Sequence, residues 1–209
     1  LVDLGIRPKD RVALISENRP EWSIVDLAIL SAGAITVPIY TTQAIDQIRF
    51  ILEDSGTRAL MISGGRILKH ARKGFDGLSQ LEQVIVFEPE AAQGLDRTTT
   101  LESVEARGAS IDRQDPAAFD KLLSAGRADD LATIIYTSGT TGRPKGVRRS
   151  LMPFDPDTVG SMFAMFLAMF GISPEGDGVH LVGSPLYHTA VLVFAGCSLH
   201  FGHTLSVMD

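Results

Sequence analysis

From Arg11 to Glu88 short apolar runs alternate with segments of helical period, and that alternation limits the fold more than any other feature of the chain. Residues 11–16 (RVALIS), 35–40, 58–63 and 83–88 read as strands. Between the first two, residues 20–32 predict a helix, with Pro20 suited to its first turn and Gly33 ending it. Ala44, Ile45, Ile48, Ile51 and Leu52 recur at three- and four-residue spacing, which predicts a second helix over residues 42–55. A polar helix fits between the third and fourth strands. Strand-helix-strand alternation of this kind predicts an α/β fold of layered, largely parallel sheets flanked by helices.

The pattern fails between residues 89 and 130, where a Thr-Thr-Thr run, scattered Gly and alternating charges predict a surface excursion. Only residues 116–124 read as helical there. The apolar run 131–136 (LATIIY) then predicts a buried strand. Farther on come a turn-rich stretch (LMPFDPDT), an apolar helix over residues 162–172, a strand near 178–182, a helix beginning near His188 and a strand over 203–208.

The strand at 131–136 runs into YTSGTTGRPKGV, residues 136–147, which packs hydroxyls, glycines, an Arg and a Lys into one short loop. Hydroxyls donate hydrogen bonds, glycines let backbone N–H groups approach an oxyanion, and Lys145 adds a compact positive charge. A polyphosphate suits such a loop. The loop departs from the common G-x-x-x-x-G-K-[ST] pattern, because Lys145 lies between Pro144 and Gly146. Pro144 also disfavours helix at Arg143, so no helix starts where that pattern would launch one.

The string closely resembles the phosphate-binding signature of the adenylate-forming (AMP-binding) superfamily, which includes acyl-CoA synthetases, peptide-synthetase adenylation domains and firefly-type luciferases. Two further segments resemble the family in the right order. Residues 16–42 (SENRPEWSIVDLAILSAGAITVPIYTT) are similar to the N-terminal region of long-chain acyl-CoA synthetases, and residues 184–190 (SPLYHTA) to their P-L-x-H motif. The resemblance implies the N-terminal part of the large domain of a fatty-acyl-CoA synthetase, an ATP-dependent, AMP-forming acid–thiol ligase. Its parent reaction takes a fatty acid to an acyl-adenylate and then, with CoA, to acyl-CoA.

By that resemblance Thr137, Ser138, Gly139, Thr140, Thr141, Gly142 and Lys145 hold the β- and γ-phosphates of ATP, whose charge Mg2+ helps neutralise. His188, flanked by Tyr187 and Thr189, is expected near the acyl and adenylate pocket. Tyr136 reads as a packing residue, and no catalytic residue is assigned within these 209 positions. The family's Y-G-x-T-E segment, ribose-binding Asp and catalytic Lys would follow Asp209, so the expectation is a single partial domain over residues 1–209, inert by itself and marginally stable. Alternatives are another carboxylate-activating ligase of the superfamily, or a non-catalytic nucleotide- or partner-binding remnant. A seam falls at Val147. Residues before it resemble the long-chain subgroup, whereas Arg148-Arg149 and SPLYHTA resemble another bacterial group. Divergence and fusion at the shared motif both fit.

A net charge of −6 argues against a general nucleic-acid binder. Cys197 is the only cysteine, which excludes an internal disulfide and suggests a reducing, cytoplasmic setting. Its small, apolar neighbours suggest an inert buried thiol. The histidines show no zinc-ligand spacing, and no metal site is expected. The apolar helix, at eleven residues, is short of the about 20 a bilayer crossing needs. It is expected to be a buried core helix, its Met and Phe stripe an alternative acyl-pocket lining. Peripheral membrane contact stays open.

Overall fold

The computed structural model describes residues 1–127, 129–138, 144–150, 155–173, 178–182 and 189–207. The chain divides into two compact units. Residues 1–16 and 20–151 form the first, and residues 17–19 and 152–209 the second.

The first unit is a seven-stranded sheet with helices between its strands. Its strands are β1 (Arg11–Ile15), β2 (Ile35–Pro38), β3 (Thr57–Ile62), β4 (Gln83–Val86), β5 (Thr98–Thr100), β6 (Leu131–Ser138) and β7 (Pro144–Ser150). They lie in the order β5-β4-β3-β1-β2-β6-β7. Every neighbouring pair is parallel except β6 and β7, which form an antiparallel hairpin. Helices α1 (Pro20–Ser31), α2 (Ile45–Ser55), α3 (Gly65–Phe75), α4 (Leu101–Gln114) and α5 (Ala118–Ser124) complete the unit. The predicted α/β architecture is therefore present.

The strands of a sheet covered on both faces should be apolar throughout rather than alternating. In β1, Val12, Ala13, Leu14 and Ile15 are all fully buried, and in β3 Ala59 to Ile62 are buried without a break. Above one face α2 and α3 approach closely, because Gly74 leaves the space that Ile48 fills. A Cβ on Gly74 would stand 2.9 Å from Ile48 Cγ2 and 3.1 Å from the Ile45 carbonyl oxygen. Arg11 fixes the far end of α2: its Nε donates to the Ser55 carbonyl (2.7 Å) and its Nη2 to the Gly56 carbonyl (2.9 Å). Gly56 ends that helix in the left-handed conformation, at φ +65°.

The structure corrects the reading of residues 89–130. The Thr-Thr-Thr run is the edge strand β5, and a fourteen-residue helix, α4, follows it directly. Thr100 caps α4 by accepting a hydrogen bond from the Ser103 amide (3.1 Å). Only Leu101 of that helix is buried, so the apolar period used to find the other helices is missing. Residues 144–150, in which no strand was expected, form β7.

The second unit contains α6 (Pro156–Ala168), β8 (Val179–Val182), α7 (Thr189–His200) and β9 (Thr204–Val207). Strands β8 and β9 pair in parallel across α7, making one strand-helix-strand unit. Asp155 caps α6 by accepting from the Thr158 amide (2.9 Å), and the helix begins six residues before its predicted start at 162. The predicted core helix is not uniformly buried. Leu167 is enclosed, yet Met165 and Met169 are 71% and 78% exposed. His180 and His203 serve structure: His180 Nδ1 shares a hydrogen bond with Ser198 Oγ (2.6 Å), and His203 Nε2 with the Ser173 carbonyl (3.0 Å). Cys197 is buried, and burial pushes its thiol above the usual cysteine range, which disfavours the nucleophilic thiolate. Among the described residues no helix is long and apolar enough to cross a membrane.

Candidate functional site

The described ends of the Ser/Thr/Gly-rich string belong to β6 and β7. Strand β6 pairs with β2 at a single position, Thr36 with Thr133, reinforced by the Thr133 hydroxyl donating to the Thr36 carbonyl (2.9 Å). Beyond Thr133 its ladder partner among the described residues is β7, from Ile134 opposite Arg148 to Ser138 opposite Pro144. Residues 139–143, which join the two strands in sequence, lie outside the described residues.

The register brings together residues from both arms of the predicted site. Thr137 stands opposite Lys145, and Ser138 opposite Pro144. For Thr137, Ser138 and Lys145 the description is of the backbone. Gly139, Thr140, Thr141 and Gly142 lie outside the described residues, as do Tyr187 and His188. Thr189 is the first residue of α7, in the second unit. Pro144 opens β7, a strand position that tolerates a residue without an amide N–H.

Tyr136, one residue before the flanking Thr137, is the best-defined side chain near the loop. It is buried, and its ring meets Phe50 of α2 edge-on with centroids 6.4 Å apart and planes at 88°. Its hydroxyl donates to Asp54 Oδ2 at 2.6 Å. Burial, followed by the adjacent Asp54 carboxylate, raises the phenol well above the ordinary tyrosine range, so it stays protonated. The packing role expected of Tyr136 is what the geometry shows. Its partners on α2 were missed: 82 residues separate Asp54 from Tyr136, and LEDSG reads as a solvated helix end.

Two other features of the first unit involve neither Tyr136 nor Gly146. An apolar cavity of about 350 Å³ lies among α1, α4 and α5, lined by Val2, Ala28, Val104, Ile111 and Phe119. At the carboxyl ends of β1 and β3, where the strand order reverses and such sheets often take ligands, the Ser63 amide donates to the Ile15 carbonyl (3.0 Å). There the Glu88 side chain lies against Gly64 so closely that a Cβ would have no room. That helix start is occupied by the chain's own carboxylate.

Comparison with known proteins agrees with the sheet and the motif. The family model described as "AMP-binding enzyme" matches residues 1–209. The long-chain-fatty-acid–CoA ligase FadD15 of Mycobacterium bovis is 42% identical over 146 residues, 70% of this chain and 23% of its own length. Fatty acyl-CoA synthetase A of Dictyostelium discoideum is 28% identical over 193 residues, 90% of this chain and 27% of its own. The chain thus spans about a quarter of the length of these relatives. Among solved structures, the N-terminal domain of FACL13 from Mycobacterium tuberculosis superposes with a TM-score of 0.67 at 26% identity, over 99% of this chain and 46% of that one. Coronafacic acid ligase from Pectobacterium brasiliense shares the fold, with a TM-score of 0.69 at 16% identity over 100% of this chain and 37% of its own. With a model match over its whole length and a sheet superposable on acyl-CoA ligases, this chain belongs to the AMP-binding enzyme family.

Proposed function

We propose that this chain supplies the phosphate-holding part of a fatty acid–CoA ligase that uses ATP. The observation that carries the reading is the β6–β7 register, which sets Thr137 and Ser138 across from Lys145 and Pro144 on either side of Gly139–Arg143. Two hydroxyl-bearing residues and one lysine at the connected end of a hairpin, with a Gly/Thr stretch between them in sequence, suit a chain of phosphates. In the reaction a fatty-acid carboxylate attacks the α-phosphorus of ATP and pyrophosphate leaves. Lys145, the hydroxyls of Thr137, Ser138, Thr140 and Thr141 and the amides of Gly139 and Gly142 would stabilise the charge that builds on the leaving group. Transfer of the acyl group from AMP to the CoA thiol completes the cycle.

Mg2+ would enter on the nucleotide. Among the described residues no three His, Cys, Asp or Glu side chains converge, and this ion is commonly held through phosphates and water. His188 and Tyr187, with Thr189 at the start of α7, are assigned to the acyl and adenylate pocket. The fatty-acid preference rests on the FadD15 and Dictyostelium relatives, whose names specify fatty acids. Calorimetric titration of Mg·ATP into the chain tests the phosphate assignment. Lys145→Ala and Thr140→Ala should each weaken binding, Lys145→Ala by about tenfold or more. Unchanged affinity in both variants would refute it.

A further inference from the structure

Past Thr133 no further ladder pair joins β6 to β2 among the described residues, although the two strands stay side by side, so side-chain packing adds to the backbone pairing in holding the β6–β7 hairpin. Tyr136 is the side chain placed to do so, one residue from Thr137 on its own strand and directly opposite Gly146, the neighbour of Lys145.

Three contacts hold it. Its ring packs edge-on against Phe50, its hydroxyl donates to Asp54 at 2.6 Å, and it is buried in the same core cluster as Ile48, Ile51 and Leu52 of α2. A hydrogen bond from a neutral hydroxyl to a carboxylate is among the stronger and more directional kinds. The acceptor is itself anchored, because Asp54 sits in the last turn of α2, beside the Ser55 and Gly56 carbonyls that Arg11 holds.

Gly146 makes the arrangement sterically feasible. A Cβ there would stand 3.0 Å from Ile134 Cγ2 and 3.4 Å from Tyr136 Cζ, so a side chain would press on the ring and its neighbour. Within Lys145-Gly146-Val147 the glycine thus serves the packing of Tyr136, besides any contribution to the loop.

We propose that Tyr136, Asp54 and Gly146 form a latch that holds the paired strand ends at Thr137 and Lys145, with Tyr136 and Asp54 as positioning residues for polyphosphate binding; the inference rests on the polyphosphate reading of the loop. Neither side chain is assigned a contact with phosphate. Their effect passes through the backbone of Thr137 and Lys145.

Inorganic tripolyphosphate is the probe, titrated into the chain by calorimetry with the melting midpoint of each variant measured in parallel. Tyr136→Phe, which keeps the ring and removes the hydroxyl, should weaken binding about tenfold, and Asp54→Ala by a similar factor. The double variant should bind no more weakly than either single one, because both remove the same bond. Asp54→Asn keeps an acceptor oxygen and should recover most of the affinity, whereas Gly146→Ala should reproduce the loss. A lowered melting midpoint with unchanged affinity of the folded chain, or independent additive losses, would overturn the latch. Binding that Lys145→Ala abolishes while Tyr136→Phe and Asp54→Ala retain it overturns the latch alone. No binding by the unsubstituted chain overturns the polyphosphate reading and the latch together.

Discussion

The charged side chains of the first unit divide by the cost of their surroundings. Arg58 pairs with Glu82 at the surface, its Nη2 standing 2.6 Å from the carboxylate, and that hydrogen bond holds the Glu82 carboxyl below its ordinary range. Such exposed pairs contribute little to stability. Asp26, on α1, is the opposite case. Burial lifts its carboxyl above the ordinary range, and the hydroxyl of Thr36 on β2 offsets only part of that. A raised pKa means the folded chain keeps this proton at pH values where the unfolded chain has released it. Stability is therefore lost as pH climbs from the unfolded pKa through the folded one, and the burden is complete above the latter. Asp26→Asn, which cannot ionise, should raise the melting midpoint at pH 7 and change it little near pH 3. A lower midpoint at pH 7 would show that the carboxylate is stabilised by partners, and an equal shift at both pH values would show that its ionisation does not burden the fold.

At the level of elements, α2 organises the unit, since it packs on the sheet, receives α3 and carries the partners of Tyr136. The close approach of α3 depends on Gly74. Gly74→Ala gains helix propensity but forces a methyl toward Ile48 Cγ2 and the Ile45 carbonyl, and the carbonyl belongs to a rigid backbone. Destabilisation of about 1–3 kcal/mol is expected in denaturant melts; a neutral or stabilised variant would mean the helices separate freely. The strands and α2 were legible because Ile48, Ile51 and Leu52 repeat at helical spacing and Val12–Ile15 form an unbroken apolar run. Helix α4 was not, because it buries only Leu101 and its cue was the Thr100 cap. Strand β7 escaped for another reason: Pro144, Gly146, Arg148 and Arg149 are poor strand formers, and pairing with β6 determines their conformation. The loop's chemistry could be read from its hydroxyls, glycines and Lys145. The Asp54 contact could not, since only the folded chain joins residues 82 positions apart.

The molecule as a whole joins two units of unlike finish. In the first, β1 and β3 are enclosed and the core runs from Ala13 through Leu60 to Val86, although Ile24, Leu27, Phe119 and Leu123 on its helices are more than half exposed. The second leaves large apolar side chains in the open. Met165 and Met169 of the α6 region are accompanied by Phe170, by Val179 and Leu181 on β8, and by Leu199 on α7, each more than half exposed. Exposed apolar surface on this scale favours association with other molecules. A chain ending at Leu151 should therefore keep a cooperative thermal transition by circular dichroism, whereas residues 152–209 alone should aggregate or bind a hydrophobic-surface dye. The whole chain should bind more dye than the 1–151 piece under the same conditions, because the added surface belongs to the second unit. Loss of the cooperative transition in the 1–151 piece would show that its sheet is not self-sufficient. Equal dye binding by the two would show that the second unit covers its methionines and β8 by other means.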